Sequence, residues 1–216
     1  MGIKAVLFDM GGVLVRSPFG LYMEKVLKHI QYPTPDDVLD AYFHPDFIAT
    51  TLAAERGEIT AEEFEPIFTE FCRKHFSKPD LPYLGWVTST KHLVDKNDWC
   101  VESMLEAVQK LRRNGFKAVV VTNNYYIDKQ RTLSSTYFDK SMFDQVIESC
   151  RTGLAKPDKA IFEYALDKVD CKASEAIFLD DIEHNLKEAE QMGITTMLVT
   201  DQDKAAADLL KMLGID

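Results

Sequence analysis

The chain has 216 residues, of which 46% are hydrophobic and 28% charged, and its 25 basic and 35 acidic side chains give a formal net charge of −10. This is ordinary globular composition, and a chain of this length buries roughly 70% of its extended surface on folding, so a core forms without disulfide staples. The acidic balance disfavours a nucleic-acid partner, which calls for clustered Lys and Arg, and the longest apolar runs, such as 118–121, are too short for a transmembrane segment.

In chain order, KAVLFD at 4–9 is an apolar run of the kind that forms a strand buried on both faces. It ends in an aspartate and glycines without a small-residue cleavage site, so it does not read as a signal peptide. Val6 stands where the myristoylation pattern that would use Gly2 needs Ser or Thr. More than a hundred residues then pass before the next such run, too many for one crossover. Within them Met23, Val26, Leu27 and Ile30 follow the 3.6-residue period of an amphipathic helix. Thr60 and Glu63 form a capping box ahead of Phe64, Ile67, Phe68 and Phe71, an aromatic stripe expected to face a local core. Pro79, Pro82 and Gly85 predict an irregular return.

From Val101 the rhythm is regular. Val101, Met104, Leu105, Val108 and Leu111 predict a helix ended by Asn114-Gly115, and KAVVVT at 117–122 is the second strand. Ile161, Phe162, Ala165, Leu166 and Val169 predict a helix, followed by a third strand, AIFLDD, at 176–181. A helix through Leu186 and Ala189 stops at Met192-Gly193 before the fourth strand, TTMLVT at 195–200, and Ala206, Leu209, Leu210 and Leu213 mark the last helix. Strands alternating with helices imply an α/β fold with a doubly wound, Rossmann-like parallel sheet. The long gap implies a helical subdomain at 16–100 inserted into a core of 1–15 and 101–216. Cys72, Cys100, Cys150 and Cys171 lack metal or redox spacing and read as reduced thiols, consistent with a cytoplasmic location. His29, His44, His75, His92 and His184 lack metal-ligand spacing and are assigned to packing or surface roles.

In an open parallel sheet, ligands bind beyond the carboxyl ends of the strands. Those ends deliver Asp9, then Thr122, Asn123 and Asn124, then Asp180 and Asp181. Lys156, ahead of Pro157, belongs to an extended segment and places a cation in the same region. Singly, each of these residues is an ordinary cap or turn residue. Together, three carboxylates on one edge repel unless a cation compensates them, and oxygen ligands without Cys or His favour Mg2+ over zinc.

FDMGGVLV at 8–15, the TNN after the second strand, the KPD containing Lys156, and FLDD followed by Asn185 resemble the four ordered motifs of the haloacid dehalogenase-like hydrolase superfamily. The insert resembles a C1-type cap. The chain is similar to the N-terminal phosphatase domain of soluble epoxide hydrolases and to the corresponding domain of some acyl-CoA dehydrogenases. The resemblance implies Mg2+-dependent hydrolysis of a small phosphorylated metabolite through an aspartyl-phosphate on Asp9. It assigns Thr122 and Asn123 to phosphoryl contacts and Lys156 to charge compensation. It gives the metal to Asp9, Asp181 and the backbone carbonyl of Gly11, with Asp180 and Asn185 in support. Residues 19–22 fall where the cap hinge or substrate wall is expected, and Arg16 and Ser17 read equally as cap-entry contacts or as ordinary loop residues.

Gly11 departs from the pattern, since the phosphatases carry there a second aspartate that protonates the leaving oxygen and activates water. Slow turnover, a substitute acid from the insert or solvent, and ligand binding without turnover all fit this change. Relatives that attack carbon also lack that aspartate, but they need no metal, so the Asp180-Asp181 pair favours phosphorus. The alternative from another class is a non-catalytic phospho-ligand binding or regulatory domain. Neither the substrate's identity nor the oligomeric state is legible in the chain.

Overall fold

The computed structural model describes residues 2–89, 99–136 and 138–215; His92 and the remainder of 90–98, within the expected insert, lie outside the described residues. The first strand, β1 (Ala5–Phe8), is buried along its whole length. After it come α1 (Pro18–Leu27), α2 (Pro35–Tyr42), α3 (Ile48–Glu55), α4 (Ala61–His75) and α5 (Trp86–Ser89). The chain then enters the repeating part: α6 (Glu102–Arg113), β2 (Lys117–Thr122), β3 (Gln145–Glu148), α7 (Ser149–Thr152), α8 (Lys159–Asp167), β4 (Ala176–Asp180), α9 (Glu183–Gln191), β5 (Thr195–Leu198) and α10 (Gln202–Met212).

All strand pairs are parallel, in the order β3-β2-β1-β4-β5. Side chains alternate across the sheet as the strand period requires. Val6 and Phe8 pack with Met104 and Leu111 of α6 and Leu209 of α10. Ala5 and Leu7 point the other way, to Ile161 and Phe162 of α8 and Leu186 of α9. Helices therefore cover both faces, which is why the central strands are continuously apolar.

Two features depart from the sequence expectation. β3 is a fifth strand, an edge strand of sequence QVIE whose first two residues are only half-buried, so it lacks a buried strand's continuous apolar run. The helices between β1 and β2 also include α2, α3 and α5, which the periodicity did not single out because they span only eight, eight and four residues.

These helices start where local chemistry places them. Ser17 Oγ accepts from Gly20 N ahead of α1, which has proline in its first turn. Thr60 N and Oγ1 both donate to Glu63 Oε2 at the start of α4. Phe64 and Phe68 of that helix stack at 5.7 Å and join Tyr42, Phe47 and Trp86 in a separate apolar cluster. Glu65, on the same helix, ties down the return segment by accepting from Val87 N at 2.6 Å and from Thr88 Oγ1. Among the described residues no helix is long and apolar enough to cross a membrane.

Candidate active site

β1 and β4 are neighbours in register, so their carboxyl ends bring Asp9 beside Asp180 and Asp181. Asp9 N donates to Leu179 O at 2.8 Å, fixing the start of the first loop against β4. That loop crosses Asp181 closely: Gly12 has φ +75°, and a Cβ there would lie 2.0 Å from Asp181 Oδ2. Glycine is required at this position on both counts.

Lys156 comes from the loop after β3 and α7, and it is 3% exposed. Its Nζ lies 2.7 Å from Asp9 Oδ1 and 2.7 Å from Asp180 Oδ2. Burial alone would lower the ammonium's pKa, but the Asp180 and Asp9 carboxylates raise it above its ordinary value, so the cation persists. Asp180 is saturated with donors: besides Lys156 it accepts from Ile182 N at 2.8 Å and from Asn185 Nδ2 at 3.2 and 3.1 Å. This carboxylate acts as a bracket for Lys156 and for the start of α9.

Carboxylate oxygens of Asp9, Asp180 and Asp181 all lie within 4.8 Å of one another. Burial, with repulsion from Asp180, pushes Asp9 up to about 7 against the pull of Lys156, and burial with Asp180 pushes Asp181 up to about 6. An all-oxygen, anionic donor set with one exposed member, Asp181, suits a hard divalent ion such as Mg2+. Gly11, on the same loop, has room for a side chain, since a Cβ would meet only Pro18 Cδ at 3.6 Å.

Thr122 ends β2 with its hydroxyl 3.3 Å from the Asn123 carbonyl oxygen. The two asparagines that follow have separate tasks. Asn124 links β2 to the sheet edge, donating from Nδ2 to Glu148 Oε1 at 2.9 Å and from N to Ser149 Oγ at 2.8 Å. The Asn123 carboxamide pairs with the main chain of Lys156 in both directions: Nδ2 donates to Lys156 O at 2.9 Å and Oδ1 accepts from Lys156 N at 2.8 Å. Asn123 Nδ2 also donates to Glu55 Oε2 at 2.8 Å.

The sequence profile of the haloacid dehalogenase-like hydrolases matches residues 3–193. The chain belongs to that family. It is 34% identical over 215 residues to mouse (Mus musculus) acyl-CoA dehydrogenase family member 10, covering 98% of this chain and 19% of that protein. It is 32% identical over 225 residues to rat (Rattus norvegicus) bifunctional epoxide hydrolase 2, covering 99% of this chain and 39% of that protein. The chain thus spans between about a fifth and two fifths of the length of these curated relatives. A family enzyme of Bacteroides thetaiotaomicron, solved with magnesium and inorganic phosphate, superposes with a TM-score of 0.58 at 22% identity, covering 93% of this chain and 96% of that one. An L-2-haloacid dehalogenase structure superposes with a TM-score of 0.65 at 16% identity, covering 99% of this chain and all of that one, so the fold alone does not choose between phosphorus and carbon.

The structure thus brings together Asp9, Asp180, Asp181, Lys156 and Asn185, with Thr122 and Asn123 on the neighbouring strand end. Sequence reasoning passed over Glu55. This α3 carboxyl is 7% exposed, accepts from Tyr42 Oη at 2.8 Å as well as from Asn123, and is pushed up to about 7 chiefly by burial. Tyr42 Oη in turn hydrogen-bonds Tyr125 Oη. The available signal was an acid sharing the buried face of α3 with Thr51 and Ala54, just before Gly57. His44 and His75 pack together in the insert, with ring centroids 4.9 Å apart, and His184 is exposed on α9.

Proposed function

We propose that the chain is a Mg2+-dependent hydrolase of a small phosphorylated metabolite, working through an aspartyl-phosphate on Asp9. The observation that carries this reading is the buried ammonium of Lys156 at 2.7 Å from both Asp9 and Asp180, beside the carboxylate of Asp181. Asp9 Oδ attacks phosphorus as the bond to the leaving oxygen breaks; water then attacks the same phosphorus and the acyl-phosphate bond breaks, freeing phosphate and Asp9. Lys156, itself buried, balances charge on Asp9 and on the phosphoryl oxygens. The Thr122 hydroxyl, at the end of the neighbouring strand, is the hydrogen-bond donor to a phosphoryl oxygen. Asn123 holds the Lys156 main chain and contributes to phosphate binding through it. Asp9, Asp181 and the Gly11 carbonyl would hold the ion, with Asp180 and Asn185 in support. Bound Mg2+ supplies Lewis-acid polarisation of the phosphoryl group. The helical insert shields the reacting atoms and selects the leaving group.

The test is release of phosphate from p-nitrophenyl phosphate and a panel of phosphate monoesters, with and without Mg2+. Activity that needs Mg2+, is removed by EDTA, and is lost in Asp9→Asn is the expected result. Gly11 favours a second reading, Mg2+-assisted binding of phosphorylated ligands without turnover. That reading predicts fluoroberyllate binding by a protein that releases no phosphate. Carbon–halogen hydrolysis is the weaker reading, because it needs no metal and so gives the Asp180-Asp181 pair no ion to hold.

A further inference from the structure

One short stretch of the insert, Glu55-Arg56-Gly57, meets the core close to the site, and each of its residues grips a different part of the site's surroundings. Glu55 accepts from the Asn123 carboxamide at 2.8 Å, and its backbone carbonyl accepts from Ser149 Oγ at 2.5 Å. Arg56 forms an ion pair at 2.8 Å with Asp158, two residues beyond Lys156. Gly57, at φ +72°, lets the turn sit against the core, where a Cβ would lie 2.4 Å from the Cys150 carbonyl oxygen. Of these three residues, Glu55 is the one that reaches a group tied to the Lys156 main chain. Asn123 is paired both ways with the Lys156 backbone, and the Lys156 ammonium bridges Asp9 and Asp180.

Resting on the phosphatase reading, we propose that Glu55 is a positioning residue carried by the insert: by accepting from Asn123 Nδ2 it fixes the carboxamide that holds Lys156, so the anion-binding side of the site is complete only when the insert is docked. The carboxamide has two faces of opposite polarity. Turned over, it would aim its oxygen at both the Lys156 carbonyl oxygen and the Glu55 carboxylate and its NH2 at the Lys156 N–H, and all three contacts would be repulsive. Glu55 therefore reinforces, from the insert side, the orientation that the Lys156 main chain already favours. Tyr42 Oη, donating to the other Glu55 oxygen at 2.8 Å, holds the carboxylate in place.

The experiment is calorimetric titration of inorganic phosphate in the presence of Mg2+, alongside kcat and KM for p-nitrophenyl phosphate, in the parent, Glu55→Ala, Glu55→Gln, Asn123→Ala and the Glu55→Ala/Asn123→Ala double variant. Thermal melts identify any variant that fails to fold. Loss of a hydrogen bond to a charged group predicts about tenfold weaker phosphate binding in Glu55→Ala. Glu55→Gln, whose carbonyl can still accept from Asn123, recovers most of that loss and tests the idea even if the alanine variant is unstable. The double variant is no weaker than Asn123→Ala alone, since both changes break one contact. Parent-like binding by Glu55→Ala, losses that multiply in the double variant, or a glutamine variant as poor as alanine would each overturn the proposal. Phosphate binding without turnover in the parent overturns hydrolysis but leaves Glu55 to be judged by the affinities. A parent that binds no phosphate overturns both.

Discussion

Gly11 is where the chain departs most clearly from the phosphatase pattern, and the structure leaves room to restore it. A Cβ at that position meets only Pro18 Cδ, at the ordinary contact distance of 3.6 Å, so Gly11→Asp is sterically allowed. A positioned general acid is worth about 10²–10⁴-fold. Gly11→Asp is therefore expected to raise kcat for alkyl phosphates, whose alkoxide leaves poorly, much more than for aryl phosphates. Equal gains on both, or none, would sink this account of Gly11. Gly12 is the opposite case. Its positive φ and the 2.0 Å approach of a Cβ to Asp181 Oδ2 mean that Gly12→Ala must displace that carboxylate. The variant is expected to lose at least tenfold in Mg2+ affinity by calorimetry, since disturbing even the groups that orient a metal's ligands commonly costs about 10–100-fold. Unchanged affinity would remove Asp181 from the ligand set.

At the scale of elements, periodicity revealed the long, strongly amphipathic pieces and the central strands. β1, β2 and β4 were readable because burial on both faces makes them continuously apolar, and α6 because Asn114 and Gly115 close it. β3 was not, because an edge strand with a half-buried start needs no such run. The candidate site was readable for a related reason: a polar residue ending an apolar strand is a local signal. Asp9, Thr122, Asp180 and Asp181 carry it. Glu55 does not, since its importance arises from a contact 68 residues away in the chain, which no local pattern encodes.

For the whole molecule, the crowded carboxylates of the site make stability depend on pH and on metal together. Asp9 and Asp181, pushed up to about 7 and about 6 chiefly by burial, bind protons more tightly folded than unfolded, where a carboxyl titrates near ~4. The stability from that uptake is complete below the unfolded value and is lost as pH rises through 6 and then 7. A bound divalent ion replaces the departing protons. In EDTA the Tm should therefore fall between about pH 5 and about pH 8, and Mg2+ should raise it more at the upper pH than at the lower. An equal increment at both would place the ion away from these carboxylates.

The strand order has a consequence for how the protein is made. β1 lies at the centre of the sheet, yet its neighbours are Lys117–Thr122 and Ala176–Asp180. During synthesis it must wait, without a hydrogen-bonded partner strand, while the entire insert leaves the ribosome. The insert has its own apolar cluster, around Phe64, Phe68 and Trp86, and is placed to collapse locally in that interval. The sheet can then grow outward from its oldest strand.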